Sequence, residues 1–347
     1  MNRKKGLIKR LLVSSVALSL ALGLSSCGNA NKSNGTIAVI CQAQGVQFWD
    51  QVQVGALEAG DELDYEIQYS AAEKASDIEG QRALIQRAIN NKVDGIVVAP
   101  NSPSELNDVL QAADTAGIPV ITISTTASYS GTKSYIGSSN SEAGAIAGRQ
   151  ACTELGATGK IGIVGHSATA NNSKERISGF TTLVNSRNEN AGNEPTTGMD
   201  ENGNEVHQSK YEIVETKYSE NGTRDDCKKV ALELIAAHPG LDLIYATNEN
   251  STLGVCDAVD ESGNTGKIKV IGFNSNDAEI TYLNTGTLTG TMVQSPYNMG
   301  YLGVRYIDAL KNGEVIRKKY DTGAMYVNRD TLGSEQIQLW LDPSRSE

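Results

Sequence analysis

The chain has 347 residues, 39% of them hydrophobic and 20% charged, with 30 Lys and Arg against 41 Asp and Glu for a net charge of −11. An acidic surface of this kind repels phosphate backbones and anionic headgroups, which argues against nucleic acid as a partner. The length suits two domains, each large enough to bury its own core.

The first ten residues hold five cations and no acid, and a 14-residue apolar run, Leu11 to Leu24, follows. A cationic stretch before an apolar one describes a secretory signal, and the run is shorter than the ~20 residues a membrane-spanning helix requires. It ends in Leu24-Ser25-Ser26-Cys27, which resembles a bacterial lipobox, where the cysteine is lipidated and becomes the new N-terminus. Residues 27–35 are small and polar and read as a flexible tether. On this reading residues 1–26 are a lipoprotein signal peptide and the globular body starts at Thr36, outside the cytoplasm. Removing residues 1–26 takes away five of the 30 cations and none of the acids, so the net charge moves from −11 to −16. Contact with the membrane is then left to the lipid on Cys27.

From Thr36 the chain alternates short β-branched runs with stretches of helical spacing. Strands are predicted at Thr36–Cys41, Tyr65–Tyr69, Gly95–Ala99, Ile118–Ile123 and Tyr135–Gly137. Helices at Phe48–Leu63, Asp77–Asn91 and Ser104–Ala116 lie between the first four. The pattern then restarts. Helices at 141–155, Ser173–Arg187, 223–237 and Ser251–Glu261 interleave with strands at Lys160–Val164, Glu212–Tyr218, Leu241–Ala246 and Lys267–Phe273. A strand near Leu288–Val293, a helix at Pro296–Lys311 and a strand near Ala324–Val327 are too few for a third domain and must be shared. Strands continuous in Ile and Val and separated by helices mean parallel sheets covered on both faces. The fold class is therefore α/β, two doubly wound parallel-sheet lobes.

The segment 188–208 breaks the rhythm, being rich in Asn, Gly and Glu with almost no apolar residue, and reads as a solvated insertion. Its acidic Asp200–Glu205 does not make a calcium loop, because the glycine falls at the fourth position instead of the sixth. Cys41, Cys152, Cys227 and Cys256 sit inside strand and helix patterns without the spacing of a metal knuckle or redox pair, and read as buried free thiols. No metal site or cofactor is expected. Of the three histidines, His207 lies in the polar segment, His238 at a helix end and His166 after a strand; no nucleophile elbow or paired carboxylates accompany them, so catalysis is not expected.

The strand ends instead carry neutral hydrogen-bonding groups and aromatics: Gln42 to Trp49, Asn101-Ser102, Ser124-Thr125-Thr126, His166-Ser167, Thr247 to Asn250 and Asn274-Ser275. Ligands of open parallel sheets bind beyond the carboxyl ends of the strands, where such clusters converge. Trp49 lies one residue off the apolar stripe that Phe48 shares with Val52, which suits it to stack on a ligand. Arg176 falls in the first turn of its predicted helix, an unfavourable place for a cation without a specific partner.

Over Thr36 to Asp330 the chain resembles the type I periplasmic sugar-binding proteins, close to ribose-binding protein. The stretches that carry the resemblance are Ile37–Trp49, Asp94–Pro100, Ala116–Ile121, Glu175–Phe180, Ala246–Asn248, Val270–Phe273 and Val293-Gln294. It implies two lobes joined by a three-strand hinge, residues 36–138 with 295–322 in one and 139–294 with 323–347 in the other. Stacking on the sugar ring then falls on Phe48 and Trp49, and polar contact on Arg176, Asn248 and Gln294. Gln47, Asn101, Ser124, Thr125 and Asn274 complete the expected site. Where the family carries an Asp-Arg pair this chain has Ser124-Thr125, and where it carries Asp after Gly-Phe it has Asn274, so a common hexose or pentose is a poor expectation. The resemblance implies a monomeric solute-binding protein serving an ABC permease; the alternative is a receptor that reports to a membrane histidine kinase.

Overall fold

The computed structural model describes residues 33–190 and 210–341. The elements run in chain order β1 (Gly35–Cys41), α1 (Gln47–Leu63), β2 (Tyr65–Ala71), α2 (Ile78–Asn90), β3 (Gly95–Val98), α3 (Asn107–Thr115), β4 (Val120–Ile123), β5 (Ser134–Gly137), α4 (Asn140–Leu155), β6 (Thr158–Gly165) and α5 (Asn171–Asn190). They continue with β7 (Lys210–Tyr218), α6 (Arg224–Ala237), β8 (Leu243–Ala246), α7 (Glu249–Glu261), β9 (Lys269–Phe273), α8 (Asp277–Thr285), β10 (Gly290–Gln294), α9 (Pro296–Lys311), β11 (Lys319–Asp321), β12 (Ala324–Asn328) and α10 (Glu335–Leu341).

These strands form two six-stranded sheets, ordered β11-β5-β4-β3-β1-β2 and β12-β10-β9-β8-β6-β7. Every pairing is parallel except β10 with β12. Strands β3, β4, β8 and β10 are buried at every position, as a parallel strand covered on both faces must be. In the first lobe, Val39, Val97 and Ile121 pack against α1 and α9, while Ile40, Ile96 and Val120 pack against α2 and α3. In the second, Ile163, Ile271 and Phe273 meet α4 and α5, and Ile244 and Val270 meet α6, α7 and α8.

One device recurs in both lobes. A Cβ on Gly55 or Gly300 would strike the backbone of the opposite helix in the α1–α9 pair. Gly144 and Gly179 stand in the same relation between α4 and α5, Gly144 meeting the backbone of Arg176 itself. Close helix approach thus fixes the height at which Arg176 leaves α5.

The chain passes between the sheets three times, from β5 to α4, from β10 to α9 and from β11 to β12. The first and third passages are tied: the Ser138 hydroxyl donates to the Gly323 carbonyl at 2.6 Å, and the Ser139 amide donates to the Asp321 carboxylate at 3.2 Å.

Three elements differ from the pattern reading. Helix α8 buries a carboxylate, Glu279, where an apolar residue would have marked the stripe. Strand β11 is a three-residue edge with charges at both ends, and α10 follows the last expected strand. Cys41, Cys152, Cys227 and Cys256 are buried and unpaired. Among the described residues no helix is long and apolar enough to cross a membrane, and no His, Cys, Asp and Glu cluster suits a metal. Residues 1–32, with Cys27, and 191–209, with His207 and the acidic Asp200–Glu205, lie outside the described residues.

Candidate functional site

The carboxyl ends of the two sheets face each other, and the space between them forms two adjoining cavities that share Phe48, Asn274 and Gln294. The narrow one, about 30 Å³, lies deep among Val46, Trp49, Ser124, His166, Arg176 and Asn248. The wider one, about 240 Å³, opens along Gln47, Gln51, Ser275, Tyr297 and Trp340.

Arg176 dominates the narrow cavity. Only 2% exposed, it donates from Nε to Asn140 Oδ1 at 2.9 Å, from Nη1 to the Thr247 carbonyl at 2.7 Å and from Nη2 to Gln294 Oε1 at 3.2 Å. Its guanidinium lies 3.6 Å from the centroid of the Phe273 ring. Burial lowers its pKa to about 10, which leaves it charged at neutral pH.

Two residues reach the cavity through left-handed backbone. Ser124 follows β4 with φ +60° and Asn274 follows β9 with φ +85°, so the chain turns each toward the gap between the lobes. Asn274 Oδ1 accepts from Gln294 Nε2 at 2.7 Å. Asn248 is the N-cap of α7, its Oδ1 accepting from the Ser251 amide at 2.9 Å. Phe48 and Trp49 meet edge to face at 4.7 Å.

His166 is buried with its amide donating to Thr247 Oγ1 at 3.0 Å and its Nδ1 at 2.9 Å from the same hydroxyl. Burial first, and then the Arg176 charge, push the imidazole down to about 3. A ring so weakly basic does not activate a hydroxyl, and Thr247 has no exposed surface from which to attack. The pair fixes the ring.

Glu249, at the start of α7 in the second lobe and 3% exposed, receives the amides of Gln47 and Phe48 at 3.1 Å each. Those amides open α1 in the first lobe, whose N-cap, Val46, supplies no side-chain bond of its own. The orphan N–H groups of that helix are thus met across the gap by a residue about 200 positions away. Burial raises the Glu249 pKa, and the bonds to Asn276, Phe48 and Gln47 act against that rise. On the far rim, Lys74 Nζ donates to Asn221 Oδ1 at 2.9 Å, and Asn171 Nδ2 to Thr126 Oγ1 at 3.1 Å.

Of the ten residues grouped on sequence, Phe48, Trp49, Ser124, Arg176, Asn248, Asn274 and Gln294 line the narrow cavity, and Gln47 lines the wider one. Asn101 and Thr125 line neither. Asn101 is drawn back into its own lobe, its Nδ2 donating to the carbonyls of Gln42, Lys74 and Asp77. Thr125 is buried, its amide hydrogen-bonded to the Ile123 carbonyl at 2.6 Å. Gln42, Val46, His166, Glu249 and Asn250, which stand in the strand-end clusters but outside the ten, join the lining, as does Asn172, which no sequence signal marked. The uncapped start of α1 was the signal available for Glu249.

Comparison with known proteins places this geometry. The profile of the periplasmic binding protein domain matches residues 37–314. The ribose import binding protein of Escherichia coli is 26% identical over 324 residues, covering 92% of this chain and 97% of that protein. A carbohydrate transporter solute-binding protein from Agrobacterium radiobacter, solved with D-arabinose, superposes with a TM-score of 0.79 at 26% identity over 89% of this chain and 99% of that one. A solute-binding protein from Agrobacterium vitis with bound D-fucose gives 0.78 at 28% identity, over 88% and 99%.

Proposed function

We propose, on the premise that the chain belongs to the periplasmic binding protein family, that it captures a small polar, sugar-like solute between its lobes and delivers it to an ABC permease. The observation that carries this reading is the buried Arg176, held by neutral acceptors at the end of a cavity bounded by both sheets. Solute contacts come from Phe48, Trp49, Ser124, Arg176, Asn248, Asn274 and Gln294, with Gln47 at the entrance. The moving bodies are residues 36–138 with 295–322 and residues 139–294 with 323–347. Rotation at the three passages brings both faces onto the solute, so binding energy shifts an open–closed equilibrium. The likeness to the ribose import binding protein and to the arabinose- and fucose-bound proteins supports sugar chemistry and an importer partner. The signal-like first residues and Cys27 support a lipid-anchored site outside the cytoplasm, where the protein stays beside its permease.

Thermal-shift screening against pentoses, hexoses, polyols and sugar acids tests the reading. A solute at a hundred times its dissociation constant stabilises the folded chain by about 2.7 kcal/mol. A clear rise in melting temperature for at least one such solute is the expected result; a flat melt across the whole panel would remove the reading.

A further inference from the structure

We infer that the solute carries a carboxylate, seated against Arg176 in the narrow cavity, with its hydroxylated body in the wider one. The inference rests on the cleft being a solute site and names the class of solute that site takes.

The charge balance around Arg176 motivates it. All three hydrogen bonds from the guanidinium go to neutral oxygens. Glu249, the one carboxylate lining the narrow cavity, is committed to the amides that open α1. The cation is therefore buried with no carboxylate bonded to it, the charge of Glu175 reaching it only through space, and that arrangement is costly until an anion arrives.

Hydrogen-bonding capacity gives the same answer. Asn248, Asn274 and Gln294 each spend the amide oxygen internally, on the Ser251 amide, on Gln294 Nε2 and on Arg176 Nη2. Each of these oxygens keeps one lone pair, but the N–H groups that the three amides and Arg176 still offer outnumber them. A sugar hydroxyl brings one donor of its own that needs an acceptor, whereas a carboxylate is acceptor-only and forms charge-assisted bonds with every donor offered.

Size agrees as well. The narrow cavity, about 30 Å³, has room for a carboxylate. The adjoining space of about 240 Å³ is reached past Phe48, Asn274 and Gln294, and carries Gln51, Tyr297 and Trp340 for a polar ring with one apolar face.

The test is calorimetric titration of the purified chain with D-gluconate, D-galacturonate and the corresponding acids of the pentoses, each beside its neutral parent sugar. At least one acid should bind about tenfold or more tightly than its parent. Asn274→Asp sets a carboxylate beside Gln294 and close to Arg176 while keeping the bond to Gln294 Nε2, so the fold is retained; it should erase the preference for the acid. Neutral parents binding as tightly as the acids, or a preference for acid that survives Asn274→Asp, would overturn the inference while leaving solute capture in place. No binding by either class would overturn both.

Discussion

Ser124 and Asn274 occupy matching positions in the two lobes, one residue beyond β4 and β9, and both hold a backbone conformation that a side chain disfavours by roughly 1–2 kcal/mol. Asn274 recovers part of this through Gln294. Ser124 has no such return from its hydroxyl, and strain held at a cavity wall is what a binding residue retains for its ligand. Ser124→Gly should therefore raise the unfolding free energy of the unliganded chain by about 0.5–1 kcal/mol while weakening solute affinity, read from denaturant melts and titration. A less stable variant with unchanged affinity would show that Ser124 serves the fold instead. Arg176 was singled out in sequence as a cation in a helix's first turn, but α5 begins at Asn171 and carries Arg176 past that turn, so its need of partners comes from burial. Its partners were not legible, since Asn140, Thr247 and Gln294 come from three other elements. Asn101 was misplaced because an asparagine at a strand end reads alike whether it faces a solute or ties down its own loop.

At the scale of elements, the alternation of buried strands and amphipathic helices was readable from Thr36 to Lys311, because buried parallel strands leave uninterrupted runs of Ile and Val. Helix α8 escaped because its buried face is Glu279 and Leu283, a carboxylate where the pattern needs an apolar side chain. Neither Glu279 carboxyl oxygen meets a hydrogen-bond donor in bonding geometry. Burial, and after it the charge of Glu249, hold its pKa well above the usual carboxylate range. The folded chain therefore keeps a proton that the unfolded chain has already released. Stability from this group is full below the unfolded value near 4.5 and is lost as pH rises through the higher folded value. Glu279→Gln mimics the protonated state at every pH. It should raise the melting temperature at neutral pH, by roughly 2–4 °C for each kcal/mol relieved, and flatten the fall that sets in as pH rises above the unfolded value near 4.5. A calorimetric series in which the variant melts lower than the parent with the same slope would refute this account of α8.

At the scale of the molecule, the proposed closure turns on the three passages, and on that reading the contacts on the two rims set how much of the unliganded population sits with its lobes together. These contacts are unequal. Lys74 to Asn221 is one bond from a half-exposed side chain, whereas Glu249 gives α1 two charge-assisted bonds and an anion at its positive end. Glu249→Gln keeps the shape but turns an amide toward the α1 N–H groups, losing on the order of 1.5–3 kcal/mol of interlobe attraction. The unliganded ensemble should open, seen as a larger radius of gyration by small-angle scattering, and solute affinity should fall about ten- to a hundredfold, because part of the binding energy must then close the lobes. Lys74→Ala should produce the same changes to a much smaller degree. If Glu249→Gln leaves the scattering profile as it was and affinity falls all the same, Glu249 contacts the solute directly and closure is governed at the three passages.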